Sequence, residues 1–121
     1  MILLVEDDDK LRELFTDLLE AAGFLITAIP LAEDAARVLR SNPPELIVLD
    51  LGMPRGTMQG MEFLAMIREV DAWKHTPVVI LSGYGDIVNP DITTRLGVAA
   101  VLSKPLIDAE ALPRTVRAIL H

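Results

Sequence analysis

The chain contains no cysteine, which excludes disulfides, thiol catalysis and thiolate metal sites. Aromatic residues are scarce as well: three Phe, one Tyr and one Trp. The core must therefore be mostly aliphatic, which suits a parallel sheet with helices on both faces. Positive charge is in short supply. Eleven Lys and Arg against eighteen Asp and Glu leave a net charge of −7, which disfavours direct binding to nucleic acid or an anionic membrane and points to a protein or a cation as partner. No apolar run approaches the roughly twenty residues of a membrane span, and no basic segment precedes the first apolar stretch. A soluble cytoplasmic domain is expected. Its 121 residues suit one domain, residues 1–121, with a real core but no room for separate catalytic and regulatory units.

What is present is a series of short, continuous apolar runs. Leu46, Ile47, Val48 and Leu49 form the clearest, rich in strand formers and ending on a single acid, Asp50; such a run marks a strand buried on both faces of a parallel sheet. Ligands in open parallel sheets bind beyond the carboxyl ends of the strands, so Asp50 stands where chemistry is expected. Met1 to Val5 is a similar run that stops at Glu6, Asp7, Asp8 and Asp9. Val78 to Leu81 follows Pro77 and stops at Ser82 and Gly83, and Val98 to Leu102 stops at Ser103, Lys104 and Pro105. Phe24 to Ile29 reads as the remaining strand.

Helices alternate with these runs. Leu11, Leu14, Phe15, Leu18 and Leu19 recur at helical spacing, with Gly23 as the stop. Ala35, Ala36 and Leu39 mark a helix from Ala32 to Arg40, which Asn42, Pro43 and Pro44 end. A turn-rich loop from Gly52 to Gly60 leads to a helix whose inward face is Met61, Leu64, Ile67 and Val70. A long loop from Tyr84 precedes a short helix with Pro90 in its first turn and Gly97 after its end. The last helix carries Ala111, Leu112, Val116, Ile119 and Leu120, with Asp108 as its N-cap. Pro113 requires that helix either to kink or to start later. Five strand–helix units with right-handed crossovers make a doubly wound α/β sheet.

The residues Leu4, Val5, Glu6, Asp7 and Asp8, then Ile47 to Pro54, then Ser82 and Gly83, and last Lys104 and Pro105, resemble the receiver domain of two-component response regulators. The resemblance spans the whole chain. Each motif alone is weak, but four in order, each at a strand end, are specific. The resemblance implies a flavodoxin-like, five-stranded parallel sheet of order 2-1-3-4-5, which brings the ends of the first, third, fourth and fifth strands to a common edge.

It also implies a function. Asp50 would be the phosphoacceptor, taking a phosphoryl group from a phosphohistidine of a histidine kinase or phosphotransfer protein. The domain would be a signalling phosphoacceptor that catalyses its own phosphorylation and dephosphorylation, not an enzyme acting on other substrates, and it would act on an output domain or downstream protein. Carboxylates gathered around Asp50 repel unless a cation sits among them, and Mg²⁺ suits a site of hard oxygens that keeps several waters. By resemblance Asp7 is the direct ligand, Glu6 acts largely through water, and the Gly52 carbonyl and one Asp50 oxygen complete the protein's share; Asp8 ranks lower. Lys104 and the Ser82 hydroxyl would each take a phosphoryl oxygen. Lys104 is expected to pair with Asp50 before phosphorylation, and Pro105 to follow a cis bond.

Plainer readings stand beside these. Asp8 and Asp9 suit a helix N-terminus, Ser82 alone suits a strand-end hydroxyl, and Lys104 alone a solvated lysine. His75 and His121 are isolated, and Trp73 and the methionines read as packing residues. Two other classes share parts of the pattern. A haloacid-dehalogenase-type phosphatase needs a second aspartate two residues beyond the first, where this chain has Gly52. A flavin carrier needs a phosphate-holding loop after the first strand, where four acids stand instead. A degenerate receiver would lack the lysine or the aspartate, and both are present.

The chain departs from the family pattern in three places. Val101 occupies the position whose aromatic ring turns inward on phosphorylation in the family; a valine cannot make that swing, so either the irregular segment at the fourth helix carries the signal or the switch is weak. The loop between Pro54 and Gly60 is about two residues longer, with Arg55, Gly56 and Thr57 inserted. Gly52 and Tyr84 hold the two positions that tune hydrolysis; glycine cannot orient water and tyrosine is bulky enough to cover the acyl phosphate, so slow self-hydrolysis is expected.

Overall fold

The computed structural model describes residues 1–83, 88–106 and 108–121. Five strands, β1 (Ile2–Val5), β2 (Ile26–Ile29), β3 (Leu46–Asp50), β4 (Val78–Ser82) and β5 (Val98–Ser103), alternate with five helices, α1 (Asp9–Ala21), α2 (Ala32–Ser41), α3 (Gly60–Arg68), α4 (Pro90–Arg95) and α5 (Ala111–Leu120). The strands form one parallel sheet in the order β2-β1-β3-β4-β5. Fold class and strand order are those expected from the sequence.

Side chains alternate across each strand, and the continuous apolar runs feed two cores. On one face Leu3, Val5, Ile47, Leu49, Val78 and Ile80 pack against α2 and α3. On the other, Ile2, Leu4, Leu46, Val48, Val79 and Leu81 pack against Phe15 and Leu19 of α1 and Leu112 and Val116 of α5. Glu6 and Asp50 follow the parity of the second set. In register, Val5 lies beside Leu49 and Asp50 beside Leu81, so the polar residues one step beyond these runs meet at one edge of the sheet. Among the described residues no helix is long and apolar enough to cross a membrane.

Four local expectations are corrected. Leu14, placed on the buried face of α1, is 47% exposed; Phe15 and Leu19 fill that interface. β2 begins at Ile26 rather than Phe24, because the Phe24 N–H donates to the Leu19 carbonyl and closes the end of α1. Phe63 joins Leu64 and Ile67 in the core, while Val70 lies beyond the end of α3. Asp108 does not cap α5, whose N-cap is Glu110; its carboxylate accepts the Glu110 N–H in the turn before the helix. Of the two outcomes for Pro113, the later start holds. The proline is the third helical residue, where an N–H has no intrahelical acceptor. The segment 84–87, with Tyr84, lies outside the described residues.

Candidate functional site

The site is built from the carboxyl ends of β1, β3, β4 and β5. Asp50 ends β3 and is 1% exposed; Glu6, just past β1, is fully buried, and Asp7 is half-buried. One oxygen from each of these three acids lies within 4.8 Å of the others. Asp8 is not of this group: exposed, it accepts the Leu11 N–H at 3.0 Å and caps α1.

Lys104 enters from the end of β5. Its Nζ lies 3.0 Å from Asp50 Oδ1 and 3.0 Å from Glu6 Oε1, and its backbone N–H donates to the Ser82 carbonyl at 2.7 Å. That last bond, with the pairing of Ser82 and Ser103, ties the ends of β4 and β5 together beside Asp50. The Lys104–Pro105 peptide bond is cis. The Gly52 N–H donates to Asp50 Oδ1 at 3.1 Å. Asp50 Oδ1 thus has two donors, whereas Oδ2 is buried with no hydrogen-bond partner among the described residues. An orphaned buried carboxylate oxygen is costly.

Electrostatics explain what it lacks. Three carboxylates and one ammonium leave two negative charges when all are ionised. Burial, followed by the nearby Asp50, raises Glu6 to about 8 against the opposing pull of Lys104. Burial and Asp50 also raise Asp7. Burial pushes Asp50 upward too, but hydrogen bonding from Glu6 and Lys104 outweighs it and holds Asp50 below the ordinary carboxylate value. Lys104, disfavoured by burial, is held above its usual value by Asp50 and Glu6. A proton on Glu6 would offset one of these two charges, and a divalent cation among the three acids would offset both. The all-oxygen donor set, the charge and the unbonded Oδ2 fit Mg²⁺.

Two neighbouring residues escaped the sequence reading. Gly60 opens α3 against the backbone of β3: a Cβ there would lie 2.6 Å from the Asp50 carbonyl oxygen and 2.9 Å from Leu51 Cα. Arg12 reaches back from α1 to the carbonyls of Glu6 and Asp7. Its signal was a charge of the wrong sign for a helix N-terminus.

The loop that follows Asp50 is braced from within. Thr57 donates its N–H and its hydroxyl to the Pro54 carbonyl, and Gly56 takes a φ of +86°, open to glycine. The Gln59 amide reaches the carbonyls of Met53, Pro54 and Thr57.

Comparison with known proteins agrees with this geometry. The family model of the response regulator receiver domain matches residues 2–117. An uncharacterised 14.6 kDa protein of Leptolyngbya boryana is 32% identical over 87% of this chain and 79% of its own length. The response regulator protein FleR of Pseudomonas aeruginosa is 37% identical over 92% of this chain, which spans only 22% of FleR. The crystal structure of the receiver domain of NtrX from Brucella abortus superposes with a TM-score of 0.86 at 26% identity, covering 99% of this chain and 98% of that one.

Proposed function

The chain belongs to the family of response regulator receiver domains, the phosphoacceptor modules of two-component signalling, and from that premise we propose that Asp50 receives a phosphoryl group from the phosphohistidine of a histidine kinase or phosphotransfer protein. One observation carries the reading: a buried carboxylate with one oxygen held by Lys104 and the other unbonded, ringed by two further acids. A carboxylate oxygen of Asp50 forms a bond to phosphorus as the nitrogen–phosphorus bond breaks. The electron pair stays on the departing imidazole, which takes up a proton, and the product is an acyl phosphate.

This chain's part is placement and charge compensation, the main demands of phosphoryl transfer. The Lys104 ammonium, already beside Asp50, moves onto a phosphoryl oxygen, and the Ser82 hydroxyl takes another. Glu6, Asp7, Asp50 and the Gly52 carbonyl would hold Mg²⁺, which when bound offsets the excess negative charge and neutralises a phosphoryl oxygen. The domain, residues 1–121, is thereby a switch that promotes its own phosphorylation and hydrolysis rather than an enzyme with a separate substrate. Its partners are cytoplasmic proteins.

New charge on Asp50, up to about −2, draws Ser82 toward the phosphate and alters the face of α4, β5 and α5, to which an output domain or downstream protein responds. Val101 is 43% exposed and Ile92 38% exposed on these elements, beside exposed Asp91, Arg95, Arg114 and Arg117, and none of the three elements carries an aromatic ring to swing. The test is incubation with acetyl phosphate or phosphoramidate and Mg²⁺, followed by intact mass. The wild type gains one phosphoryl group and Asp50→Asn none; gain by the mutant at the wild-type rate defeats the assignment.

A further inference from the structure

Arg12 lies at the end of the first turn of α1, where the positive pole of the helix disfavours a cation. Its side chain turns back along the helix, as side chains there do, and commits its guanidinium to the loop that precedes it. Nη1 donates to the carbonyl of Glu6 at 3.0 Å and to that of Asp7 at 3.4 Å, and Nη2 pairs with Asp9 Oδ1 at 2.6 Å. The Asp9 side chain is 89% exposed, so that pair contributes little; the partly buried carbonyl bonds are the ones that fix the loop. The Glu6 N–H is in turn held by the Ile29 carbonyl at 3.1 Å. The Glu6 backbone is thus tied both to β2 and to a guanidinium on α1, which also reaches the Asp7 carbonyl.

We propose that Arg12 is a positioning residue for the cation: by fixing the backbone of Glu6 and Asp7 it brings their carboxylates together with Asp50 before the ion arrives. The proposal rests on reading the acid cluster as a magnesium site. Charge and geometry have opposite consequences here. Deleting a positive charge near a cation site strengthens cation binding, whereas deleting hydrogen bonds that orient ligands weakens it.

The experiment is titration of the full chain with MgCl₂ by isothermal calorimetry, with no phosphodonor, alongside circular dichroism melts in EDTA. Arg12→Met removes both charge and bonds while keeping a good helix former. Arg12→Lys keeps the charge but replaces a planar fork with a single ammonium. Both variants are expected to bind Mg²⁺ ~10-fold more weakly than wild type. Binding by folded Arg12→Met that equals or exceeds the wild type overturns the proposal, because charge alone would then be acting. Should that variant not fold, Arg12→Lys decides, and an unchanged Kd overturns it equally. Absence of binding by the wild type, or undiminished binding by Asp7→Asn, instead overturns the magnesium reading beneath it.

Discussion

Lys104 Nζ stands 3.0 Å from Asp50 Oδ1, and the same ammonium is equally close to Glu6 Oε1. One cation therefore serves carboxylates from two other strand ends, and it competes with any metal ion for them. Replacement by Lys104→Met separates two roles. Magnesium affinity is expected to rise several-fold as the competing charge goes, while the rate of Asp50 phosphorylation falls about 100-fold for want of a donor to the phosphoryl oxygen. Calorimetry and phosphorylation time courses on one preparation check both; a parallel loss of the two would assign Lys104 a structural role only.

The metal-stripped protein is expected to lose stability as pH rises toward and through about 8. Glu6 has a folded value of about 8 against an ordinary 4.5, so between these pH values the native state binds more protons than the unfolded chain, and raising pH favours unfolding. Asp7 shifts in the same direction. Asp50, held low, contributes stability that is lost only on acidification, and Lys104, held high, contributes stability lost only in strong base. Urea midpoints in EDTA at pH 6 and pH 9 measure the slope, which Glu6→Gln reduces and saturating Mg²⁺ suppresses. A midpoint that climbs between those pH values would contradict the assignment of a raised Glu6.

Gly60→Ala tests how closely α3 is seated against β3, the strand that ends on Asp50. The added Cβ meets backbone atoms of Asp50 and Leu51, which cannot move aside as a flexible side chain would. A loss of about 1–3 kcal/mol is expected from overpacking, together with slower phosphorylation as the Asp50 loop shifts. Denaturant unfolding and the acetyl phosphate reaction give the two values; an unperturbed protein would mean that the approach is looser than 2.6 Å.

Hydrolysis of the acyl phosphate is expected to be slow, since Gly52 has no side chain to orient water and Tyr84 has the bulk to shield the phosphate. Tyr84→Ala is predicted to shorten the phosphate lifetime. A wild-type lifetime of seconds that lengthens in the mutant would reverse the shielding argument.

Most of the architecture was legible because its three central strands are continuous apolar runs, as a sheet covered on both faces favours; β5, although equally apolar in sequence, exposes alternate residues. The ends of those runs also marked Asp50, the acids after β1, Ser82 and Lys104. Helix detail was less legible. Spacing drew one stripe through Met61, Leu64, Ile67 and Val70, but the sheet offers α3 a broader seat that also takes Phe63, and the helix ends before Val70. Leu14 has the right period in α1, yet Phe15 and Leu19 already fill the space. Arg12 and Gly60 were invisible for a different reason: their importance lies in carbonyls and backbone supplied by other elements, and nothing in local sequence names those partners.

Gln59 gathers the carbonyls of Met53, Pro54 and Thr57 around one amide, so the loop that follows Asp50 has its contour before anything docks. A visiting protein that crosses it forfeits little freedom in the loop, and the ~0.5–1.5 kcal/mol ordinarily lost for each side chain immobilised at an interface is largely spared. A visiting protein that reaches this loop meets a fixed contour with Arg55 and Gly56 exposed, rather than a loop that moulds itself to each.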